Sequence, residues 1–283
     1  MHVMKKVLVP TDFSASAKKG VMFAIQWATQ QKIELIFIHV LSVLRPTRWS
    51  DAYYEKVVEE EENNCRKKFE KHISDIYTKM NVKPGKYSLL VIAGISADVT
   101  ILDFCRKNPG IDAICISTRG AGKFNKILGT NTGNLITKSA VPVLAVPQNY
   151  RVSNISTILY ATDFKNYEEE MKKVVAFAKP LKAKIDILHI SWPTEIPFDE
   201  KTIEQSFKKQ FKYDMELHMV KTDATHSVKE QLEKQTRLRK PSLLIMFTKQ
   251  KRTFFEKLFF SSNAESMSFQ AKVPMLVFNK TEN

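Results

Sequence analysis

The sequence predicts an α/β protein built from two tandem, doubly wound domains, each with a five-stranded parallel sheet. Two observations predict this fold. Short motifs recur along the chain in a fixed order, and short apolar runs alternate with amphipathic helical segments. The length of 283 residues fits two ordinary domains, and a content of 43% hydrophobic and 26% charged residues is typical of a globular protein.

Three motifs occur twice in the same order, which indicates an internal duplication. In the first copy they are KVLVPTDF at 6–13, LIFIHV at 35–40 and VPVLAV at 141–146. In the second copy they are TILYATDF at 157–164, IDILHI at 185–190 and VPMLVF at 273–278. We expect a first domain at residues 1–148 and a second, shortened domain at 154–283. The polar segment 147–156 is the natural linker between them.

The apolar runs predict ten strands, and helical periodicity predicts the segments between them. In the first copy the strands are expected near 5–9, 33–40, 87–92, 112–117 and 142–146. In the second copy they are expected near 156–160, 184–190, 216–220, 242–247 and 274–278. First-copy helices are expected at 17–28, 51–80, 96–107 and 130–138. Strands that are apolar on both faces and separated by such helices indicate a parallel sheet covered on both sides.

The net charge of +14 is spread along the chain, with +8 in residues 1–150 and +6 in residues 151–283. A basic arm or an aromatic-interleaved basic stripe is lacking, so we expect no binding to nucleic acid. Apolar runs stay well short of the roughly 20 residues that cross a bilayer, and the N-terminal sequence lacks a signal-peptide cleavage site. Cys65, Cys105 and Cys115 lack metal-ligand spacing. These features predict a reduced, metal-free cytoplasmic protein without membrane association.

Two loops of the first copy are expected at the carboxyl ends of its strands, where open α/β sheets bind ligands. One loop follows the first strand and carries Pro10, Thr11 and Asp12. The other follows the fourth strand and carries Ser117, Thr118, Arg119, Gly120, Gly122, Gly129, Thr130 and Asn131. Glycines let backbone N–H groups approach an anion, a helix start adds donors, and Asp12 can accept from sugar hydroxyls. The spacing fits either a phosphate site or a structural turn.

The segments VLVPTDFS, IFIHV, STRGAGKFNKILGTNT and VPVLAVP resemble the universal stress protein family. The ordered repeat extends the resemblance over essentially the whole chain, as a tandem two-domain member. The resemblance implies a Rossmann-like sheet with strand order 3-2-1-4-5, a cytoplasmic stress-response role, and domains paired through their fifth strands, with a homodimer also possible. Its nucleotide-binding branch implies ATP or AMP, with Mg²⁺ possible beside ATP and the backbone of Val40 reading adenine.

The loop departs from the family's pattern of Gly, two residues, Gly, nine residues, Gly and then Ser or Thr. Ser117 stands at the first glycine, and eight residues separate Gly120 from Gly129, whereas Thr130 fits the final position. Ser117 can still donate through its side chain, and the shorter loop favours a shorter phosphate chain. The corresponding second-copy segment, 247–263, contains no glycine, so we expect no nucleotide there.

Two functional classes remain open from the sequence. The first is a regulatory module that senses an adenine nucleotide in the first domain, and the second is a nucleotide-free dimerisation or interaction scaffold. Enzyme motifs such as GxSxG, HExxH and GxxxxGK[ST] are missing, so at most a slow ATPase activity is expected. His39 and His189 close equivalent strands, and we expect packing and hydrogen-bonding roles for both. The stress signal and any protein partner are not encoded in a readable motif.

Overall fold

A computed structural model describes residues 3–118, 130–191, 199–222, 227–248 and 273–279. The chain divides into two compact units. The first unit is Lys5–Val152, and the second is Ser153–Asn283 together with Met1–Met4. Among the described helices, none combines the length and the apolar character needed to cross a membrane.

The first unit is a parallel sheet whose strands alternate with helices. Its elements are β1 (Lys6–Pro10), α1 (Ala17–Gln30), β2 (Glu34–Leu41), α2 (Asp51–Met80), β3 (Tyr87–Ala93), α3 (Ala97–Lys107), β4 (Ala113–Ser117), α4 (Thr130–Lys138) and β5 (Val143–Val146). The strand order is β3-β2-β1-β4-β5, with parallel pairing throughout. The predicted doubly wound fold is confirmed, and the order reverses between β1 and β4, where such sheets form their crevice.

The second unit repeats this plan. Its elements are β6 (Thr157–Thr162), α5 (Tyr167–Leu181), β7 (Lys184–Ser191), α6 (Glu200–Phe211), β8 (Met215–Lys221), α7 (Val228–Arg239), β9 (Leu243–Thr248) and β10 (Met275–Asn279). Its strands lie in the order β8-β7-β6-β9-β10 and are again parallel. The shortening falls on the second helix, because α6 has 12 residues where α2 has 30.

Helix α1 packs on the sheet of the first unit through the apolar face that its sequence predicts. Val21, Ala24 and Ile25 are buried, and Trp27 is fully buried beside them. Gly20 lies so close to β4 that a Cβ atom there would approach the backbone nitrogen of Ser117 to 2.8 Å. A side chain at residue 20 would therefore push α1 away from the end of β4.

The ends of helix α2 are explained by its capping residues, and its packing on the sheet is explained by a stripe of apolar residues. The Ser50 side chain accepts a hydrogen bond of 3.3 Å from the N–H of Tyr53, and Asn81 ends the helix in a left-handed conformation. Phe69, Ile73 and Ile76 are fully buried on the face toward the sheet. Charged residues cover the rest of the helix surface, as is usual for a surface helix.

Candidate functional site

The loop after β1 is held in one conformation by hydrogen bonds within the loop and to β2. The N–H of Thr11 donates to the carbonyl of Ile38 at 2.9 Å, which continues the strand pairing. The Asp12 carboxylate accepts from the N–H of Ser14 at 3.0 Å, and the Thr11 hydroxyl accepts from the N–H of Phe13 at 3.2 Å. Because Asp12 itself is exposed, the loop presents this carboxylate to solvent at the carboxyl edge of the sheet.

His39, on the neighbouring strand β2, contacts this turn through a hydrogen bond and a ring-stacking interaction. Its Nδ1 lies 2.8 Å from the carbonyl oxygen of Thr11, and because a carbonyl can only accept, Nδ1 carries the proton. Phe13 has a positive φ of 62° and stacks on the His39 ring, with ring centroids 4.4 Å apart. The stacking holds an aromatic residue in a conformation that L-residues rarely adopt. The local sequence gives no signal of this strained backbone.

The second unit contains the same turn at the equivalent position. His189 Nδ1 lies 3.0 Å from the carbonyl of Thr162, and Phe164, with φ of 60°, stacks on His189 at 4.4 Å. Asp163 accepts from the N–H of Lys165 at 3.2 Å, as Asp12 does from Ser14. This turn is therefore a feature of the fold in both copies, and both histidines have the expected packing and hydrogen-bonding roles.

Strand β4 ends at Ser117, whose backbone and hydroxyl group differ in their hydrogen bonding. The N–H of Thr118 donates to Val146 at 2.8 Å, and the carbonyl of Ser117 accepts from the Thr132 hydroxyl at 2.9 Å. The Ser117 hydroxyl oxygen, however, is buried and has no hydrogen-bond partner among the described residues. A buried polar atom without a partner is unfavourable, which makes Ser117 a position where a ligand atom can compensate.

Six of the residues predicted for the site lie at one edge of the first sheet. Pro10 ends β1 beside Ile38, Val40 follows in β2, and β1 pairs directly with β4, which ends at Ser117. Thr11, Asp12 and Thr118 follow these strand ends. The predicted meeting of the two loops at the reversal of strand order therefore agrees with the strand pairing.

Of the remaining residues predicted for the site, two lie in the described part of the chain and four do not. Thr130 begins α4, and Asn131 is exposed in its first turn. Arg119, Gly120, Gly122 and Gly129 lie outside the described residues, as does the basic second-copy segment 249–263.

Helix α1 makes the candidate site electrostatically different from the same edge of the second unit. It follows β1, so its N-terminus and positive dipole end lie at the carboxyl edge. Its first turn has no acidic residue and contains Lys18 and Lys19. The equivalent helix α5 begins with Glu168, Glu169 and Glu170. An anion is therefore favoured beside α1 and disfavoured beside α5.

A polar clamp that sequence reasoning did not find connects α3 to α4. Asn134 Nδ2 donates to the Asp98 carboxylate at 2.6 Å, and the Ser96 hydroxyl donates to the same carboxylate. Burial acts to raise the pKa of Asp98, but hydrogen bonds from Ser96, Asn134 and nearby backbone N–H groups outweigh burial, so the pKa lies below its ordinary value. The clamp joins the first turn of α3 to the middle of α4.

The fold and this edge define a class of protein: a doubly wound α/β sheet with a candidate anion site at the switch point. A model of the universal stress protein family matches residues 4–147, about half of the chain. The chain belongs to the universal stress protein family.

Several universal stress proteins and related structures are similar to this chain in sequence or in fold. Universal stress protein MJ0577 of Methanocaldococcus jannaschii is 29% identical over 160 residues, which cover 52% of this chain and 97% of that protein. A universal stress protein of Archaeoglobus fulgidus has a similar structure, with a TM-score of 0.68 and 16% identity over 98% of this chain and 97% of that one. A functionally unknown protein of Pseudomonas aeruginosa, PA1789, has a TM-score of 0.56 and 13% identity over 98% and 92%. The last two likenesses show the fold, which extends over both units.

Proposed function

We propose that the first unit binds an adenine nucleotide at the edge where β1 and β4 diverge, and that the protein acts as a regulatory module. The observation that carries the proposal is the buried hydroxyl of Ser117, which no described residue hydrogen-bonds, at the strand end next to the Asp12 turn. In this arrangement Asp12 accepts hydrogen bonds from ribose hydroxyls. The Ser117 hydroxyl and the start of α4 then face the phosphates, and Val40 faces the base.

The charge distribution supports a phosphate at this edge. Helices α1 and α4 both begin here without an acidic residue in their first turns, so two positive dipole ends border one site. In the second unit, α5 begins with three glutamates although the turn around Asp163 is retained. We therefore propose that the second unit binds no nucleotide and has a structural or regulatory role.

The choice between ATP and AMP depends on the loop between Ser117 and Thr130. Since Gly120 and Gly129 are separated by one residue fewer than in the family pattern, we propose that AMP binds at least as tightly as ATP. If ATP binds, Mg²⁺ would accompany it, held mainly by phosphate oxygens and water, as is usual for this ion. Since the described residues at this edge include no evident catalytic base beside the phosphates, we expect any hydrolysis to be slow.

The experiment compares equivalent aspartates in the two copies. ATP, AMP and cyclic AMP are titrated calorimetrically into the full chain and into Asp12→Ala and Asp163→Ala variants. Both substitutions remove an exposed carboxylate from the same kind of turn, so their effects on folding should match. We expect Asp12→Ala to weaken binding by about tenfold or more, the size of one hydrogen bond to a charged group, and Asp163→Ala to leave it unchanged.

Two results would contradict the proposal. One is the absence of binding heat at about 1 mM of each nucleotide, and the other is an equal effect of the two substitutions. The absence of binding heat would favour the nucleotide-free scaffold, whereas an equal effect of the two substitutions would mean that nucleotide binding is not specific to the Asp12 turn. Mass spectrometry of small molecules released by denaturing the purified protein provides an independent check, because a retained adenine nucleotide would exclude the scaffold alternative.

Three features that the family resemblance implies stay predictions. They are the pairing of the two domains through their fifth strands, a possible homodimer, and a cytoplasmic location. Light scattering of the purified chain, with and without nucleotide, measures the oligomeric state and whether the ligand changes it.

A further inference from the structure

Three side chains of types that can bind metal ions lie together on one face of the sheet of the second unit. They are near the amino-terminal ends of its strands, opposite the carboxyl edge where the Asp163 turn lies. Asp186 lies near the start of β7, and Glu216 and His218 lie near the start of β8. The register pairs Asp186 with Glu216, and His218 is two residues further along the strand, so all three share a face. One ligand atom from each lies within 4.8 Å of the other two.

The atoms that face each other in this cluster are too far apart for hydrogen bonds. His218 Nε2 lies 3.9 Å from Asp186 Oδ1 and 3.8 Å from Glu216 Oε2, whereas hydrogen bonds span about 2.7–3.2 Å. In the described part of the second unit, the buried Asp186 Oδ1 and His218 Nε2 atoms have no hydrogen-bond partner. Their side chains are 14% and 20% exposed, so water can compensate little of this loss.

The first unit shows that the fold does not require polar residues here. In the equivalent register, Ile36 pairs with Ser88 and Ile38 pairs with Leu90, where the second unit has Asp186 with Glu216 and Leu188 with His218. A surface without ionisable side chains therefore suffices at these positions. Lys184 compensates the two carboxylates in part, because its Nζ lies 3.9 Å from Asp186 Oδ1 and 2.6 Å from Glu216 Oε1. The buried atoms of Asp186 and His218 that face each other keep the capacity to bind a cation.

We propose that Asp186, Glu216 and His218 form a binding site for a divalent transition metal of the zinc type. Atoms bound to one tetrahedral zinc at about 2.0–2.1 Å lie about 3.4 Å apart. The two separations from His218 Nε2 therefore need to close by about half an ångström, and the two carboxylates, whose ligand atoms lie within 4.8 Å of each other, need to move together as well. The imidazole disfavours Mg²⁺ and Ca²⁺, which prefer oxygen ligands, and imidazole with carboxylates suits zinc. Three protein ligands leave one position for water.

Lys184 is compatible with this assignment. Its Nζ lies 2.6 Å from Glu216 Oε1, while the other oxygen, Oε2, faces His218. One carboxylate can thus pair with the lysine and bind the metal at the same time. Glu216 is 46% exposed, which gives the ion a path from solvent. Because β8 is the edge strand of the second unit, the metal would cross-link that edge to β7.

The test uses the full chain, stripped with EDTA and dialysed. Zinc binding is measured by calorimetry, and bound metal by elemental analysis. The variants Asp186→Ile and His218→Leu install the residues that the first unit has at these positions, and His218→Gln is a polar substitution in case the apolar ones misfold. Glu169→Gln, which removes an exposed carboxylate paired with Lys172, is the matched control.

We expect the wild type and the control to hold one zinc more per chain than the three cluster variants. In the variants, affinity at this site should fall by about 100-fold or more, since loss of a supporting partner alone costs roughly 10- to 100-fold. Zinc should raise the unfolding midpoint of the wild type by about 5–10 °C at a hundredfold excess over Kd. It should also slow amide exchange in β8.

Two results would overturn the assignment. Equal zinc content and affinity in wild type and His218→Leu would place any bound zinc elsewhere. No zinc binding by the folded wild type at about 0.1 mM would leave only an ion-pair cluster, in which Lys184 pairs with the carboxylates of Asp186 and Glu216. The absorption spectrum of the cobalt-substituted protein distinguishes metal bound by a cysteine from metal bound by the three proposed ligands. A thiolate charge-transfer band would indicate a cysteine ligand and would contradict the proposal.

Discussion

The Thr132 hydroxyl donates a hydrogen bond of 2.9 Å to the carbonyl of Ser117, and both residues are buried. This bond connects the first turn of α4 to the last residue of β4, on either side of the glycine loop. It fixes where the helix begins relative to the strand without using the loop itself. The position of the helix dipole at the candidate site therefore depends on a contact between residues 15 positions apart.

Thr132→Val should remove this hydrogen bond while keeping the side-chain shape. We expect a loss of about 1–2 kcal/mol in the free energy of unfolding, because a buried carbonyl loses a partner, together with weaker nucleotide binding. Urea denaturation and calorimetric titration measure the two effects. The control is Thr137→Val in the same helix, whose hydroxyl donates only to Gly133 and Asn134 within α4. A control as damaging as Thr132→Val would contradict the role of the connection.

Ser117→Ala should separate stability from binding. Because the Ser117 hydroxyl is buried and has no partner in the part of the chain that the structure describes, its removal should leave the free energy of unfolding unchanged or increase it slightly. Nucleotide affinity should fall by about tenfold if the hydroxyl donates to a phosphate. Ser139→Ala is the comparison, since the Ser139 hydroxyl donates to the carbonyl of Val141 at 2.8 Å, and its loss should cost about 1 kcal/mol. A Ser117→Ala protein with full affinity would exclude contact between this hydroxyl and the ligand.

Gly20→Ala should reverse the usual effect of alanine in a helix. Alanine in place of a helical glycine normally stabilises by roughly 0.5–1 kcal/mol, but here the new Cβ would lie 2.8 Å from the Ser117 nitrogen. We expect a net destabilisation of about 1–3 kcal/mol as α1 shifts off β4. Thermal and urea unfolding measure it. Gly110→Ala, where nothing lies within 4 Å of the added atom, should be close to neutral, and a stabilising Gly20→Ala would show that the contact is looser than described.

Asp98 should contribute a pH-dependent part of the stability. Its pKa in the folded protein lies below the value of about 3.9 expected in the unfolded chain. The carboxylate therefore contributes stability that is fully present above that unfolded value and is lost as the pH falls through the folded pKa. Urea unfolding of wild type and Asp98→Asn between about pH 3 and pH 6 measures this part, since about 3.9 lies inside that window.

The Asp98→Asn variant should be less stable than wild type at pH 6 and should lose less stability on acidification. Asp103→Asn on the same helix is the control, because Asp103 is partly exposed and pairs with Arg106 at the surface. Exposed ion pairs contribute little, so this variant should follow the wild-type curve. Parallel curves for wild type and Asp98→Asn would show that the Asp98 clamp does not stabilise the fold.

Much of the fold could be predicted because its signals are local. The predicted strand 87–92 is observed at Tyr87–Ala93, and the predicted helix 51–80 is observed at Asp51–Met80. Apolar runs fix the strands, caps such as Ser50 fix the helix start, and the repeated motifs predict that one fold occurs twice. The predicted strand ends also place Pro10, Asp12 and Ser117 at a common edge, since parallel strands share a direction.

The elements, their order along the chain and the duplication could all be predicted from the sequence, because these features depend on residues close together in the chain. Tertiary structure alone decided the pairing of Thr132 with Ser117, the clamp between Asp98 and Asn134, and the meeting of Asp186 with His218. Each of these joins residues that belong to different elements, and side-chain partners across a gap depend on register and packing. A pattern read along one strand carries no information about which atom of the next strand or helix it will face.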